Sequence, residues 1–136
     1  AHHPTEVEAT LQSARSGWNR RIVAVFQPHL FTRTKQFYRE FAEVLKNADI
    51  VIITDIYPAR EQKIAGVTSR LIYNEMSIEM NGCSHLVPDL DDLITKLDEV
   101  TQPGDMVITL GAGNIWRYND SYVNHLKSIT DGVKVD

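Results

Sequence analysis

The chain has 136 residues, enough for one domain with a buried core, and its 43% hydrophobic and 24% charged residues are typical of a globular protein. The net charge of -4 argues against a nucleic-acid-binding surface, and the single cysteine, Cys83, excludes a disulfide framework and a cysteine-based metal cluster. No apolar stretch is long enough to span a membrane and nothing resembles a signal peptide, so we expect a cytoplasmic protein.

Strand and helix patterns alternate along the chain. Short continuous apolar runs indicate strands buried on both faces, and apolar residues three to four apart indicate amphipathic helices. In chain order, they predict a helix at 4–16, a strand at 22–26, a helix at 34–48, a strand at 50–53, a helix at 69–80, a strand at 85–87, a helix at 90–100, a strand at 106–110, a helix at about 114–129 and a short edge strand at 133–135. Four buried strands joined by helices require parallel pairing with right-handed crossovers. The predicted fold class is therefore α/β, with a doubly wound, mostly parallel sheet that carries helices on both faces.

Polar residues follow three of the predicted strands. The first strand ends at Gln27, Pro28 and His29, the second at Thr54 and Asp55, and the last at the segment 111–114, which ends with Asn114. Ligands bind outside the carboxyl ends of the strands in open sheets of this kind. We therefore expect these three junctions to share one ligand-binding edge.

Arg33 lies just before the predicted helix 34–48, where a cation is disfavoured because a helix N-terminus carries a partial positive charge. The position is explained if an anion is held there by the guanidinium and the helix N–H groups together. The alternative is a solvated side chain at the helix start. His29 has a similar alternative, as a turn residue that bonds to nearby backbone.

The remaining motifs do not indicate a reaction centre. Gly111 and Gly113 form a fragment of a phosphate loop, but so short a fragment favours a tight turn from strand to helix. Asp55 and Glu61 have no spacing that fixes a metal, and the sequence contains no P-loop, G-x-S-x-G or H-E-x-x-H motif. We therefore predict an anion-recognising α/β domain with neither catalytic residues nor a metal site of its own.

His2 and His3 are open to two interpretations. They could be the remnant of a tag, or a native pair at the start of a helix, since Pro4 suits a first helical turn. Adjacent side chains tend to point apart, so the two are poor joint ligands for one metal. One of them facing a site is the more plausible functional case.

Four stretches of the chain resemble a known family. They are AHHPTEVEATL, VFQPHLFTRT, DIYPAREQKIAGVTS and LGAGNIW, and they span residues 1–116. In this order they resemble the carboxy-terminal domain of the Mur ligases, and within that family the branch that adds L-alanine to UDP-N-acetylmuramate. In the family an Asp-Tyr pair at the hinge from the ATP-binding domain normally precedes the first stretch. The resemblance implies that residues 1–136 are one Rossmann-like, amino-acid-binding domain, with the ATP-binding and UDP-sugar-binding domains outside this chain.

The resemblance also implies a reaction and a site. The full enzymes use ATP and Mg to convert the carboxylate of UDP-N-acetylmuramate into an acyl phosphate, which the amine of L-alanine attacks in peptidoglycan biosynthesis. By motif position His2 and Arg33 line this site, with Arg33 holding the alanine carboxylate, and the same rim includes His29, Tyr57 and Asn114. Many relatives have a second arginine where this chain has Leu30, so a pair of arginines is not available here.

The resemblance leaves two alternatives open. One is a murein peptide ligase, which shares the His-His-Pro start, although the Phe-Gln-Pro-His stretch favours the alanine branch. The other is a stand-alone, non-catalytic module that binds a small anion or a protein partner. An isolated domain of the alanine branch is expected to be inactive.

Overall fold

The computed structural model describes residues 3–17, 19–77, 80, 82–111, 115, 122–124 and 126. Its elements, in chain order, are α1 (Pro4–Gly17), β1 (Ile22–Phe26), α2 (Phe31–Leu45), β2 (Ile50–Thr54), α3 (Arg70–Ser77), β3 (Ser84–Val87), a 3₁₀ helix (Leu90–Asp92), α4 (Leu93–Val100) and β4 (Met106–Leu110). Further helical residues are 115, 122–124 and 126. None of the described helices is both long and apolar enough to cross a bilayer.

The four strands form one parallel sheet in the order β3-β2-β1-β4. The central strand β1 pairs with β2 on one side and with β4 on the other, so that Val23 is opposite Ile50 and Ile22 is opposite Met106. Every residue of β1 and β2 is buried, as their continuous apolar runs predict. The direction of the strand order reverses between β1 and β4, which makes the sheet doubly wound.

Helices cover both faces of the sheet, and alternate residues of the strands point to opposite faces. Helices α1, α2 and α3 pack on one face, where Phe41 of α2 contacts Phe26 of β1 at a ring-centroid distance of 4.8 Å. Helix α4 packs on the other face through Leu93 and Leu97, together with Tyr122. The prediction of an α/β sheet with helices on both faces is confirmed.

The amino ends of β1 and β4 are tied together by an ion pair. The guanidinium of Arg21 donates to both carboxylate oxygens of Asp105, with Nε–Oδ1 3.0 Å and Nη2–Oδ2 2.6 Å, and Nη2 also donates to the carbonyl of Val100. The bond from Arg21 is the main cause that lowers the pKa of Asp105 below its usual range. This ion pair therefore holds together the amino ends of β1 and β4, at the end of the sheet opposite the carboxyl ends of the strands.

The predicted strands lie within one residue of the observed ones, but the prediction for α2 was wrong by three residues at each end. The helix begins at Phe31 because Thr34 donates through both its backbone N–H and its hydroxyl to the carbonyl of Leu30. It ends at Leu45, where Asn47 bonds to the carbonyl of Val44 through its backbone and its side chain. The predicted helix 90–100 starts as a 3₁₀ turn, in which Asp89 accepts a bond from the N–H of Asp91.

Three other predictions are tested only in part. Helix α3 ends at Ser77, and residues 78 and 79 of the predicted helix lie outside the described residues. Of the predicted helix 114–129, residues 115, 122–124 and 126 are described and are helical. The predicted edge strand 133–135 lies outside the described residues.

Candidate functional site

The carboxyl ends of β1, β2 and β3 surround a cavity of about 530 Å³. Its lining includes Gln27 from the end of β1, Asp55 and Tyr57 from the loop after β2, and Asp89 from the loop after β3. A second hollow of about 310 Å³ is lined partly by the same loop and shares Asp55, Ile56 and Pro58 with the first. The expectation that the first two strand ends share one edge is therefore confirmed.

The loops after β1 and β2 are bridged beyond the ends of the strands. The N–H of Tyr57 donates to the carbonyl of Pro28 at 2.8 Å, and the N–H of Leu30 donates to the carbonyl of Tyr57 at 3.0 Å. The rings of His29 and Tyr57 lie nearly parallel, with an interplanar angle of 16° and a centroid distance of 6.1 Å. Parallel pairing thus continues into the loops and holds the two rings side by side.

Arg33 lies in the first turn of α2, not before it, and is half-buried. Its Nη1 lies 3.1 Å from Nδ1 of His29. A guanidinium can only donate, so Nδ1 of His29 must accept and the ring proton of the neutral imidazole must be on Nε2. Neither Arg33 nor His29 is part of the cavity lining; Arg33 is linked to it through its contact with His29, whose ring stacks on Tyr57 of the lining.

The N-terminus of α2 is capped by Glu61, which comes from the loop after β2. One oxygen of its carboxylate accepts bonds from the N–H groups of Phe31 at 2.6 Å and Thr32 at 3.2 Å, and the other accepts from the Thr32 hydroxyl. A carboxylate at this position is stabilised by the helix dipole. The expectation that these helix N–H groups would hold an external anion was therefore wrong, because Glu61 already occupies those of Phe31 and Thr32.

The cap makes the stability of the chain depend on pH. The bond from the Thr32 hydroxyl is the largest cause that lowers the pKa of Glu61 below its ordinary value; desolvation opposes it, and the two backbone N–H groups and His29 support it. Because the pKa is lower in the folded state, the stabilisation is present above the unfolded-state value of about 4.3 and is lost as the pH falls through the folded-state pKa.

We expect Glu61→Gln to be less stable than the wild type at neutral pH, and the difference to disappear in acid. Glutamine keeps an acceptor oxygen but not the charge, and protonated glutamate resembles it. Urea denaturation of both proteins from pH 7 to pH 2.5 measures the difference directly. The Arg21–Asp105 pair is unchanged in the variant, so its own acid loss cancels in the comparison. A difference that stays constant with pH would contradict a charged cap.

Two strained residues belong to the same pair of loops. Among the described residues, the non-glycine positions with positive φ are Leu30 at 72° and Ala59 at 54°. Such conformations cost about 1–3 kcal/mol each and persist where the surrounding structure fixes them, often at binding sites. Here the bridge to Tyr57 and the capped helix start fix Leu30, so the strain supports this edge as the functional one.

Packed residues fill the space at the carboxyl ends of β1 and β4, where the strand order reverses. Gln27 is 3% exposed, its Oε1 accepts the N–H of Ile115 at 3.1 Å, and its backbone N–H donates to the carbonyl of Leu110 at 2.9 Å. Gly111 has a φ of 152° and lies against the Gln27 backbone. This close approach favours a tight turn over a phosphate loop at Gly111. Residues 112–114 of the same segment lie outside the described residues.

We expect Gly111→Ala to destabilise the chain by about 1–3 kcal/mol, the usual cost of forcing atoms into a packed site. An added Cβ would lie 2.9 Å from the backbone oxygen of Gln27 and 3.2 Å from Cγ2 of Ile115. Denaturant midpoints measure the loss. Gly17→Ala is the matched control, since nothing lies within 4 Å of a Cβ there; equal midpoints for both variants would contradict the close approach.

The structure brings together three of the five predicted site residues: His29, Arg33 and Tyr57. The other two, His2 and Asn114, lie outside the described residues. The neighbouring His3 directly precedes α1, where its carbonyl accepts the N–H of Val7, and its ring packs edge-on against Phe37 of α2, with centroids 5.0 Å apart. Glu61 was considered in the sequence only as a metal ligand; its capping role was missed because no local motif marks it. The described residues contain no group of three or more metal-ligating side chains.

Comparisons with known proteins agree with the resemblance found in the sequence. The family model of the Mur ligase, glutamate ligase domain, matches residues 1–113. The UDP-N-acetylmuramate–L-alanine ligase of Salinibacter ruber is 46% identical over 129 residues, which are 94% of this chain and 27% of that protein. The chain therefore spans about a quarter of the length of the curated relatives it matches.

Two solved structures share the fold. A domain from Haemophilus ducreyi, assigned to a UDP-N-acetylmuramate:L-alanyl-γ-D-glutamyl-meso-diaminopimelate ligase, has a TM-score of 0.67 and 23% identity and covers 93% of this chain and 85% of that one. A murein peptide ligase of Psychrobacter arcticus has a TM-score of 0.68 and 20% identity and covers 91% of this chain and 25% of that one. At these identities the likeness concerns the fold alone.

Proposed function

Since this chain belongs to the Mur ligase family, we propose that it is the carboxy-terminal, amino-acid-binding domain of an ATP-dependent ligase that joins L-alanine to UDP-N-acetylmuramate. The choice of substrates is supported by the relatives named for this reaction, which are up to about half identical to this chain. Such a ligase forms a C–N bond in peptidoglycan biosynthesis in the bacterial cytoplasm. The proposed single domain comprises residues 1–136, and the domains for ATP and the UDP-sugar lie elsewhere in the full-length protein.

The observation that carries the proposal is the place of Arg33. It is a cation at the ligand-binding edge of a doubly wound sheet, in the first turn of a helix whose N-terminal N–H groups at Phe31 and Thr32 already hold Glu61. The guanidinium offers an incoming carboxylate a bidentate, charge-assisted contact that does not depend on the two N–H groups bound by Glu61. Alanine held by its carboxylate presents its amine to the activated carboxyl carbon of the sugar substrate, and such orientation is a large part of the catalysis of bimolecular reactions.

ATP and Mg are proposed to bind mainly outside this chain. The sequence has no P-loop, and the described residues offer no group of three metal ligands. We assign both to the domain outside the chain, and the role of this domain to holding the amino acid. By the resemblance, His2, His29, Tyr57 and Asn114 are proposed to complete the rim around Arg33.

Two alternatives differ from the proposal in what can be measured. A murein peptide ligase would join a preformed tripeptide, L-alanyl-γ-D-glutamyl-meso-diaminopimelate, and not free L-alanine. A stand-alone module would have no upstream reading frame with a Gly-Lys-Thr loop. The sequence identity to alanine ligases favours the first proposal over both.

The test is ADP release by the full-length protein with UDP-N-acetylmuramate and ATP. We expect release that depends on L-alanine and not on the tripeptide, and no release from the isolated 136-residue chain under any of these conditions, because the chain lacks a phosphate-activating loop. Alanine-dependent release from the isolated chain would contradict the division into domains. Release that depends on the tripeptide would contradict the choice of substrate.

A further inference from the structure

We propose that His29 is a positioning residue, whose neutral ring orients the guanidinium of Arg33 toward the carboxylate of the amino-acid substrate. The inference rests on the proposed function, because it concerns how that carboxylate is received. It assigns to His29 a contact with Arg33 in place of a contact with the substrate itself.

The first support is the bond between the two side chains. Nδ1 of His29 is 3.1 Å from Nη1 of Arg33, and it can only be the acceptor. The bond takes up one end of the guanidinium. Within the described part of the chain, no hydrogen bond is found on the Nε–Nη2 edge, and this edge has the parallel pair of donors that a carboxylate binds.

The second support is that His29 is itself held in place. Its backbone forms the bridge to Tyr57, and its ring lies parallel to the ring of Tyr57. The backbone of Arg33 is fixed independently, since Glu61 caps the first turn of α2. The ring of His29 and the backbone of Arg33 are thus held in place separately. The bond between the two side chains already restricts the arginine, so little further conformational entropy is lost when substrate binds.

The charges around the ring decide how the contact responds to pH. Among the described residues, the charged or titratable groups that the structure relates to His29 are Arg33, Glu61 and Tyr57. A protonated ring has no acceptor at Nδ1 and repels the guanidinium, even though Glu61 nearby attracts it. Protonation therefore releases Arg33 from this orientation.

The experiment compares His29→Asn with His29→Leu in the full-length protein. The side-chain oxygen of asparagine can stand close to where Nδ1 stands, whereas leucine has no acceptor. We expect His29→Leu to raise the KM for L-alanine by about tenfold, the equivalent of one hydrogen bond to a charged group, with the KM for ATP unchanged. We expect His29→Asn to stay within about threefold of the wild type. Comparable losses in both variants would overturn the inference, as would wild-type KM for L-alanine in His29→Leu.

Two further measurements separate positioning from a general structural role. In an Arg33→Ala background, His29→Leu should cause no further loss, because a residue that acts through Arg33 has nothing left to orient. In the wild type the KM for L-alanine should rise as the pH falls and the ring of His29 is protonated, and this rise should be absent in His29→Asn. Additive losses in the double variant, or the same pH profile in both proteins, would overturn the inference.

The outcomes also distinguish the inference from the proposed function. If the wild-type protein releases no ADP in response to L-alanine, the proposed function fails. If the wild type is active and Arg33→Ala loses alanine binding while His29→Leu does not, the proposed function stands and the inference about His29 fails.

Discussion

Arg33→Ala in the full-length protein is expected to lower kcat/KM for L-alanine by about ten- to a few-hundredfold. A charge-assisted, bidentate bond to a carboxylate contributes about 1.5–3 kcal/mol, and about 1.4 kcal/mol corresponds to a factor of ten. The KM for ATP should change little, since the nucleotide is assigned to another domain. Folding should hardly change, because Glu61 and not Arg33 caps the helix, and removing a cation from a helix N-terminus is neutral or mildly favourable.

The control for charge alone is Arg33→Lys. An ammonium keeps the positive charge but loses the planar fork and cannot reproduce both bonds, so only part of the activity should remain. Steady-state kinetics with L-alanine and ATP varied separately give both constants. Wild-type alanine kinetics in Arg33→Ala, or equal losses for the two substrates, would rule out a carboxylate-receiving role for Arg33.

Phe41→Ala is expected to destabilise the chain by about 3–5 kcal/mol, a large share of the total stability of a domain. Phe41 is 1% exposed, packs against Phe26 of the central strand and belongs to the core between the sheet and the helices α1, α2 and α3. Removing its ring leaves a cavity between α2 and the sheet that the surrounding strands can fill only in part. The denaturant midpoint of the purified chain measures the loss.

The matched control lies one helical turn earlier. Phe37 is partly exposed and packs on the margin of the same core, where it meets His3. Phe37→Ala should therefore cost clearly less than Phe41→Ala, because less apolar area returns to water and no closed cavity forms. Equal losses would mean that the buried face of α2 is wrongly identified.

The strands could be predicted from the sequence because their signal is local. A strand buried on both faces is apolar at every position, as the run at Ile22–Phe26 is. The run at Met106–Leu110 includes Thr109, and only Leu110 in it is fully buried, so its prediction as a wholly buried strand was wrong in this respect. The order of the strands in the sheet could not be predicted from these apolar runs. That β1 is central and pairs with β4 depends on contacts between residues more than eighty positions apart.

The start of α2 shows why local patterns fail. An N-cap is normally sought in a serine, threonine, aspartate or asparagine directly before the helix, and here that position is Leu30, with no side-chain cap. Glu61 supplies the cap from thirty residues downstream. The same contact changed the interpretation of Arg33. The sequence position was enough to single out Arg33, but it could not show that the carboxylate of Glu61 binds the N–H groups at the start of the helix.

The pairing of His29 with Arg33 could be predicted in part. Both residues were singled out at the end of the first predicted strand, four positions apart, and a tertiary bridge to Tyr57 then fixes the ring against which the guanidinium rests. Neither that bridge nor the positive φ of Leu30 has a signature in a single sequence, since leucine rarely adopts such a conformation.

The central place of β1 also bears on how the protein is made. Of the four strands of this sheet, β1 is synthesised first and β2 can pair with it soon afterwards, but Met106, the partner of Ile22, follows about eighty residues later. At about 5–20 residues per second, this delay is on the order of ten seconds. During that time one edge of a wholly apolar strand is open, and open edges of this kind recruit strands from other chains. Within this sheet the strand synthesised first thus gains its second partner last, and we expect that chaperones or the neighbouring helices must cover its open edge for those seconds.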